Sequence, residues 1–383
     1  MKIALFTDSF IPGVGGTEKA VLGLADALKE QSEEVIVCCP KLKPYDDSVF
    51  NFPVLRTKSI RISSNDACAF PALSHKFKKQ LKDFAPDIIH CQSISPMMKY
   101  ALRYAKKHGI PLVTTVHTKF KTAWERSIHS KAIVNLLVKD LRKKLIKSDK
   151  VFTVSKDMVK ELNSYGYKGD ITVIRNGAMF DKITNLDELK QIAVQKYNLE
   201  NVNHILLFVG HLVKFKNLQF TFDVLKLVKQ QIPDFKILLV GHGLDDDYFK
   251  KYACEQGLKE NAVFTGQITD KKLLSSLYSV GELFVFPSLF DNDPLTVVEA
   301  AVHHTPSITI KDTGSSERIE DNVSGFIEEN DVNAFADRIV YLLKNKQILK
   351  QAGDNAADMI PKEWSKTANE YLNEYRSVLE KRQ

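Results

Sequence analysis

Residues 2–28 read KIALFTDSFIPGVGGTEKAVLGLADAL, and this stretch decides the fold class. KIALF is a continuous β-rich apolar run, the signature of a strand covered on both faces. It passes through a loop carrying Gly13, Gly15 and Gly16 into an amphipathic helical run from Glu18 to Lys29. Glycines in such a loop let a ligand approach backbone N–H groups, and the N-terminus of the following helix favours anions. The spacing does not match the dinucleotide fingerprint G-x-G-x-x-G, and no Walker lysine follows, so a plain tight turn is the competing reading.

The same strand–loop–helix unit recurs outward from this segment. EVIVCCP, DIIHCQ, PLVTTVH, KVFTVS and ITVIRN read as further buried strands. Helical patterns lie between several of them, at Ser74 to Phe84, Pro96 to His108 and Ser155 to Ser164. The second half repeats the arrangement with HILLFVG, FKILLVG, AVFTG, LFVFPS and PSITI. Its helices are expected at Leu218 to Gln230, Asp246 to Gln256, Asp270 to Ser279 and Pro294 to His303. Alternation of this kind predicts an α/β fold of two doubly wound parallel sheets. The boundary is expected between Gly177 and Asn203, where DKITNLDELKQIAVQKYNLE looks like a helical connector.

Bulk properties agree. At 383 residues the chain is long enough for two full cores, and 44% hydrophobic with 26% charged residues is ordinary for a globular protein. No apolar run approaches the roughly 18 to 20 residues that span a bilayer. MKIALFTDSF is too short and too lightly flanked for a secretory signal. The 5 cysteines have no metal-type spacing, and Cys38 and Cys39 close an apolar run as small buried thiols. A reducing, cytoplasmic setting is the expectation. Residues 1–180 carry 30 Lys and Arg against 17 Asp and Glu, which leaves 24 against 30 in the rest. A basic half beside an acidic one suggests that the first half meets something anionic: nucleic acid, an acidic membrane or a phosphorylated substrate.

In open parallel sheets, ligands sit beyond the carboxyl ends of the strands. That rule selects Thr7 to Gly16, His90 to Ser93, His117 to Lys119, Gly210 to Asn217, Gly241 to Leu244 and Ser288 to Glu299. Lys214 and Lys216 in GHLVKFKN suit a diphosphate, although a solvated loop would carry them too. His90 and His117 each end a strand, as a cleft histidine or a hydrogen-bonded structural one. SLFDNDPLTVVEA, residues 288–300, holds Asp291, Asp293 and Glu299. Asp-Asn-Asp has the look of a D-x-D metal motif. Asp293 is also a good N-cap with Pro294 as first helical residue, which leaves Asp291 facing a ligand. Glu299 is either a diol-binding carboxylate, a surface residue or half of an ion pair. No acid pair of glycosidase spacing can be read from the sequence, and it has no G-x-S-x-G elbow and no H-E-x-x-H helix.

Taken in order, GGTEKAVLGLADAL, DIIHCQS, TTVHT, VFTVSKDMVKEL, VIRNG, VGHLVKFKN, LLVGHG, NAVFTGQI, LFVFPSLFDNDPLTVVEAA and SERIEDNVSGFI cover nearly the whole chain. The pattern resembles the retaining glycosyltransferases of family 4, which have the GT-B fold. The resemblance implies two Rossmann-like domains facing one cleft: residues 1–180 for the acceptor, and 181–365 for the nucleotide sugar. A final helix, residues 366–383, would cross back to the first domain. It implies donor contacts from Gly15 and Gly16, from His211 and Lys216 at the diphosphate, and from Asn292, Asp293 and Leu295 through backbone N–H groups. Asp291 and Glu299 would be the two ends of the family's E-x7-E pattern, touching the transferred sugar and the ribose, with His117 facing the donor sugar.

Two departures stand out: His211 replaces the common arginine, leaving more to Lys216, Lys214 or a charged His211, and Asp291 is one methylene shorter than glutamate. The implied reaction is transfer of a hexose, glucose from UDP being favoured, with retention, without a metal and without a cofactor. Leaving phosphate would serve as base in a same-face attack.

For the acceptor, KAIVNLLVKDLRKKLIKSDK places Ile133, Leu137, Leu141 and Leu145 along one helical face. Lys139, Arg142, Lys143, Lys144 and Lys147 crowd the rest, and such a helix can lie on an anionic membrane. The plain alternative packs the apolar stripe on the sheet and leaves the lysines in water. TTVHTKF is similar to the corresponding region of diacylglycerol glucosyltransferases, which favours a membrane lipid or lipid-linked glycan and a peripheral position on the inner face of the cell membrane. A soluble sugar or small-molecule acceptor is the alternative. Nucleic-acid binding is disfavoured, because the lysines lack interleaved aromatics. Nothing in the sequence speaks to oligomeric state.

Overall fold

The computed structural model describes residues 1–13, 15–62, 67–180 and 183–382. Val14 of the glycine loop, Asp181 and Lys182 at the start of the expected connector, and the terminal Gln383 lie outside the described residues. The chain forms two compact units, Met1–Gly177 with Lys362–Gln383, and Ala178–Pro361.

In the first unit the order is β1 (Lys2–Phe6), α1 (Gly16–Glu30), β2 (Glu34–Pro40), β3 (Val54–Thr57), β4 (Ser59–Arg61), β5 (Ala67–Ala69), α2 (His75–Phe84), β6 (Ile88–Cys91) and α3 (Pro96–His108). There follow β7 (Leu112–Val116), α4 (Phe120–Ser127), α5 (Lys131–Leu145), β8 (Lys150–Thr153), α6 (Lys156–Ser164) and β9 (Ile171–Val173). Seven of these strands form one parallel sheet in the order β3-β2-β1-β6-β7-β8-β9, and β4 pairs with β5 as a small antiparallel two-stranded sheet.

The second unit runs α7 (Leu186–Tyr197), β10 (His204–Val209), α8 (Leu218–Gln231), β11 (Phe235–Val240), α9 (Asp246–Glu255), β12 (Ala262–Gly266) and α10 (Lys271–Val280). It continues with β13 (Leu283–Phe286), α11 (Leu295–Val302), β14 (Ser307–Ile310), β15 (Phe326–Glu328), α12 (Val332–Lys344) and α13 (Lys346–Met359). Its parallel sheet has the order β12-β11-β10-β13-β14-β15. The segment expected as a connector is therefore part of this unit: Leu189 and Ala193 of α7 are buried, and Ala193 lies in its core.

Side chains alternate across a strand, so each strand of the first sheet feeds two layers. Ala4, Phe6 and Ile36 join a core with Phe77, Leu81, Met98, Leu141 and Leu162. Ile3, Leu5 and Val37 join another with Val21, Leu24 and Leu28 of α1. The last helix, α14 (Trp364–Glu380), completes that second layer with Ala368, Tyr371, Leu372, Tyr375 and Val378. It packs where α1 leaves room: a Cβ on Gly23 would fall 2.3 Å from the Trp364 ring, and one on Gly177 would fall 2.5 Å from it. Two glycines make the slot that this indole occupies.

In both sheets the strand order reverses next to the first strand, between β1 and β6 and between β10 and β13. Loops leaving neighbouring strands at such a reversal diverge to opposite faces and open a crevice, where ligands of this architecture bind.

Candidate functional site

In the second unit, the crevice lies between the loop after β10 and the loop after β13. Lys214–Lys216 make one 3-10 turn, and Asn217 adopts a left-handed conformation at φ 61° before α8 starts. The Asn217 amide donates to the Pro287 carbonyl at 3.2 Å and ties the two loops together. Lys216 then reaches Asp291 across the reversal, its Nζ at 2.5 and 2.7 Å from the two carboxylate oxygens. Both side chains are largely shielded, at 13% and 18% exposure, so this charge-assisted contact is firmer than a surface pair. Lys214 is engaged differently, with its ammonium 4.5 Å from the centre of the Tyr248 ring.

Burial and the nearby Lys216 push the His211 pKa down, opposed by Asp291, which favours the neutral imidazole with a ring N–H to offer.

The reading of Asp293 as the N-cap is corrected. α11 begins at Leu295, and the position before it, Pro294, has extended backbone at ψ 119° and serves as the N-cap. The Asp293 carboxylate faces Arg318, with Nε to Oδ1 at 2.6 Å and Nη2 to Oδ2 at 2.7 Å. The two side chains are only 2% and 6% exposed. Each aspartate of Asp-Asn-Asp thus has its own basic partner, and among the described residues no group of three or more metal-type ligands is assembled. Behind this loop sits Gly314, where a Cβ would meet the Asn292 carbonyl oxygen at 2.4 Å, so the next turn packs against the loop's backbone. Arg318 stands within SERIEDNVSGFI, but neither its pairing with Asp293 nor the packing of Gly314 on Asn292 had a sequence signal, because those partners lie over 20 residues away.

Glu299 is 1% exposed on α11, which removes the surface-residue reading. Its Oε2 accepts from the Tyr278 hydroxyl of α10 at 2.7 Å. Burial and the adjacent carboxylate push the Tyr278 pKa well up, so the phenol keeps its proton. His303 donates from Nδ1 to the Glu299 carbonyl at 2.7 Å, and its Nε2 lies 2.5 Å from the Ser275 hydroxyl. Leu295, 6% exposed, opens the helix.

In the first unit, the crevice lies between the glycine loop and the loop after β6. Gly15 is the N-cap of α1, and Gly16 is its first residue. A Cβ on Gly15 would press on the Glu18 carboxylate at 2.5 Å, whereas one on Gly16 would meet nothing within 4 Å. Open space at Gly16 leaves the helix start accessible. Asp8 accepts from the backbone of Ser95 at 3.2 Å and Met97 at 3.1 Å, and so caps α3 from across the reversal. A cavity of about 370 Å³ opens here, lined by Asp8, Thr17, Gln92, Ser93, His117 and Thr118, with an apolar side that includes Ile62, Cys68 and Ile94. His117 Nε2 is 2.7 Å from the Gln92 carboxamide oxygen. His90, by contrast, is 0% exposed: it is buried beneath the site rather than open to it.

The basic helix α5 differs from the expected stripe. Leu141 and Leu145 are buried in the core at 1% and 0% exposure, while Ile133, Leu136 and the following Ile146 are outward at 50%, 65% and 65%. Lys143 and Lys147 are exposed. Lys144 is not one of the outward lysines, since its Nζ donates to the Ile94 carbonyl at 3.0 Å and pairs with Asp140 at 2.8 Å. Arg142 lies against Gly166, whose Cβ would come 2.9 Å from the guanidinium. Among the described residues no helix is long and apolar enough to cross a membrane.

Known proteins resemble this chain along its length. Residues 14–181 match the family model Glycosyltransferase Family 4, and residues 190–359 match Glycosyl transferases group 1. The alpha-monoglucosyldiacylglycerol synthase of Acholeplasma laidlawii is 22% identical over 93% of this chain and 92% of its own. A GDP-mannose-dependent alpha-mannosyltransferase of Corynebacterium glutamicum is 21% identical over 99% and 89%. The crystal structure of Anabaena Alr3699/HepE in complex with UDP superimposes with a TM-score of 0.78, at 19% identity, over 98% of this chain and 100% of that one.

Proposed function

The chain belongs to the family-4 glycosyltransferases with a GT-B fold, and we propose that it moves a hexose, glucose from UDP-glucose, onto a hydroxyl of a membrane lipid or lipid-linked glycan. One observation carries the donor half of this reading. Lys216 and Asp291, 75 residues apart, meet at the strand-order reversal of the second sheet with buried Glu299 on the helix that follows. A cation for the leaving diphosphate, a carboxylate for sugar hydroxyls and a second carboxylate for a ribose diol are the groups a nucleotide sugar needs.

The acceptor half is supported by the first unit's cavity, which has hydroxyl-binding groups on one side and an apolar side opposite them in character. The outward Ile133, Leu136 and Ile146 of the α5 region, among Lys139, Lys143 and Lys147, suit an anionic lipid surface. The name of the Acholeplasma relative favours the same acceptor class and a glucosyl donor, and the UDP held by the Anabaena neighbour favours that nucleotide. In the reaction the acceptor oxygen bonds to the anomeric carbon as the bond to the diphosphate breaks, and the acceptor proton passes to the leaving phosphate. Retention is the expected stereochemistry. Lys216 supplies the positive charge, and no metal or cofactor is required.

The test is transfer and hydrolysis screening with a panel of nucleotide sugars. It is run with and without anionic vesicles carrying diacylglycerol, with and without excess chelator. Glucosyl transfer from UDP-glucose to lipid, unchanged by chelator, is the expected result. Turnover only with soluble acceptors overturns the lipid reading, loss restored by manganese overturns metal independence, and failure to bind any nucleotide sugar overturns the whole.

A further inference from the structure

We propose that Gln92 is a positioning residue that holds the His117 imidazole as its Nε2–H tautomer, and that the last helix braces Gln92 through His90. The inference rests on the reading of His117 as a donor-facing group, although its own test does not need turnover.

The argument starts from the carboxamide. Gln92 is 3% exposed, directly after β6. Its oxygen is 2.7 Å from His117 Nε2, and its nitrogen is 3.1 Å from each ring nitrogen of His90. An amide oxygen only accepts, so the His117 nitrogen facing it carries a proton. In the neutral ring the lone pair then belongs to Nδ1, and the polarity of the imidazole is set.

His90 is in turn held on both sides. Its Nδ1 is 2.5 Å from the Tyr375 hydroxyl, and its Nε2 is 2.7 Å from the Thr115 hydroxyl. Thr115 lies 3.1 Å from the hydroxyl of Tyr371. Ring contacts with Tyr371 at 5.0 Å, Tyr375 at 5.6 Å and Phe152 at 5.8 Å fix the imidazole plane. Burial and the facing His117 push the His90 pKa well down, so it is neutral and can both give and take a hydrogen bond. The Tyr375 and Thr115 hydroxyls take up both ring nitrogens, and the Gln92 amide nitrogen, equally far from each, lies over the imidazole face. Hydrogen bonding from Tyr375 to His90, packing of His90 on Gln92 and the Gln92–His117 hydrogen bond therefore carry a residue of α14, 285 positions from His90, to the underside of the candidate site. Second-layer hydrogen bonds of this type fix which ring nitrogen is protonated.

The experiment is a two-bond ¹H–¹⁵N correlation spectrum of the full chain labelled with ¹⁵N-histidine, with His117 assigned from its missing signals in His117→Gln. Wild type is expected to show His117 protonated at Nε2. In Gln92→Leu the two nitrogens move toward a tautomer mixture, and turnover of the nucleotide sugar falls roughly 10- to 100-fold with KM for the donor changed by less than about threefold. Gln92→Glu keeps an acceptor oxygen and the tautomer, and recovers part of the turnover. Tyr375→Phe, which leaves Gln92 intact, moves the tautomer ratio in the same direction by less, and it serves if Gln92→Leu does not fold. An Nδ1–H tautomer in wild type overturns the proposal, as does an unchanged tautomer in folded Gln92→Leu. A chain with His117 locked by Gln92 that turns over no nucleotide sugar sinks the functional reading instead.

Discussion

Replacing Arg318 by methionine tests the account of the Asp291–Asp293 loop. The guanidinium meets both Asp293 oxygens at 2.6 and 2.7 Å, and Nη1 also donates to the Ile360 carbonyl at 3.2 Å. With the side chains 6% and 2% exposed, water cannot replace the lost cation. Breaking such a pair from one side leaves a buried charge and costs about 3 to 5 kcal/mol, whereas replacing both partners by apolar residues is often nearly neutral. At about 2 to 4 °C per kcal/mol for a unit of this size, Arg318→Met lowers the melting point by roughly 6 to 20 °C. Arg318→Met with Asp293→Leu recovers most of that.

The two tryptophans, Trp124 and Trp364, both fall in the first unit. Their fluorescence therefore follows the first unit alone, while far-UV circular dichroism follows both. The expected result is a transition that moves in circular dichroism and not in tryptophan fluorescence. The reasoning is refuted if the single substitution costs under about 1 kcal/mol, or if the double variant loses as much as the two singles together. A shift confined to the tryptophan signal also refutes it.

Lys216→Ala removes the cation beside Asp291, and kcat/KM for the nucleotide sugar is expected to fall about 100- to 1,000-fold in initial-rate assays, with Lys216→Arg retaining part of it. Buried His90, with its pKa held well below the usual value of about 6.5, makes the first unit acid-sensitive. The unfolded chain takes up a proton that the folded one refuses, so this contribution is complete above about pH 6.5 and is lost as the pH falls from there toward the folded pKa. His90→Gln should flatten the fall in tryptophan-detected stability between about pH 6.5 and 5. Gly23→Ala pushes a methyl group to 2.3 Å from the Trp364 ring, so α1 and α14 must part. An overpacking cost of about 1 to 3 kcal/mol is expected in the same fluorescence-detected transition, and no loss would show that the helices part freely.

Strand and helix positions were legible because the parallel strands are covered on both faces and read as unbroken apolar runs. KIALF, EVIVCCP and HILLFV appear as β1, β2 and β10. The strands not foreseen, β3, β4, β5 and β15, are three or four residues long and lack the unbroken β-rich apolar run that marks strands of equal length such as β8 and β13.

By itself the sequence determined which loops lie at strand ends, and therefore where Gly16, His117, Lys216 and Asp291 would stand. That follows from the direction of the chain and the alternation of strand and helix, both of which are local. Tertiary structure alone decided which of two chemically equal roles each polar residue took. Asp293 is held by Arg318 beside the cap position, and Lys144 turns inward to Ile94. His90 and His117, both at strand ends, part company because Tyr371 and Tyr375 of α14 cover one of them. The physical reason is the same in each case: a charge or hydrogen-bonding group is committed by its partner, and those partners lie from 25 to 285 residues away.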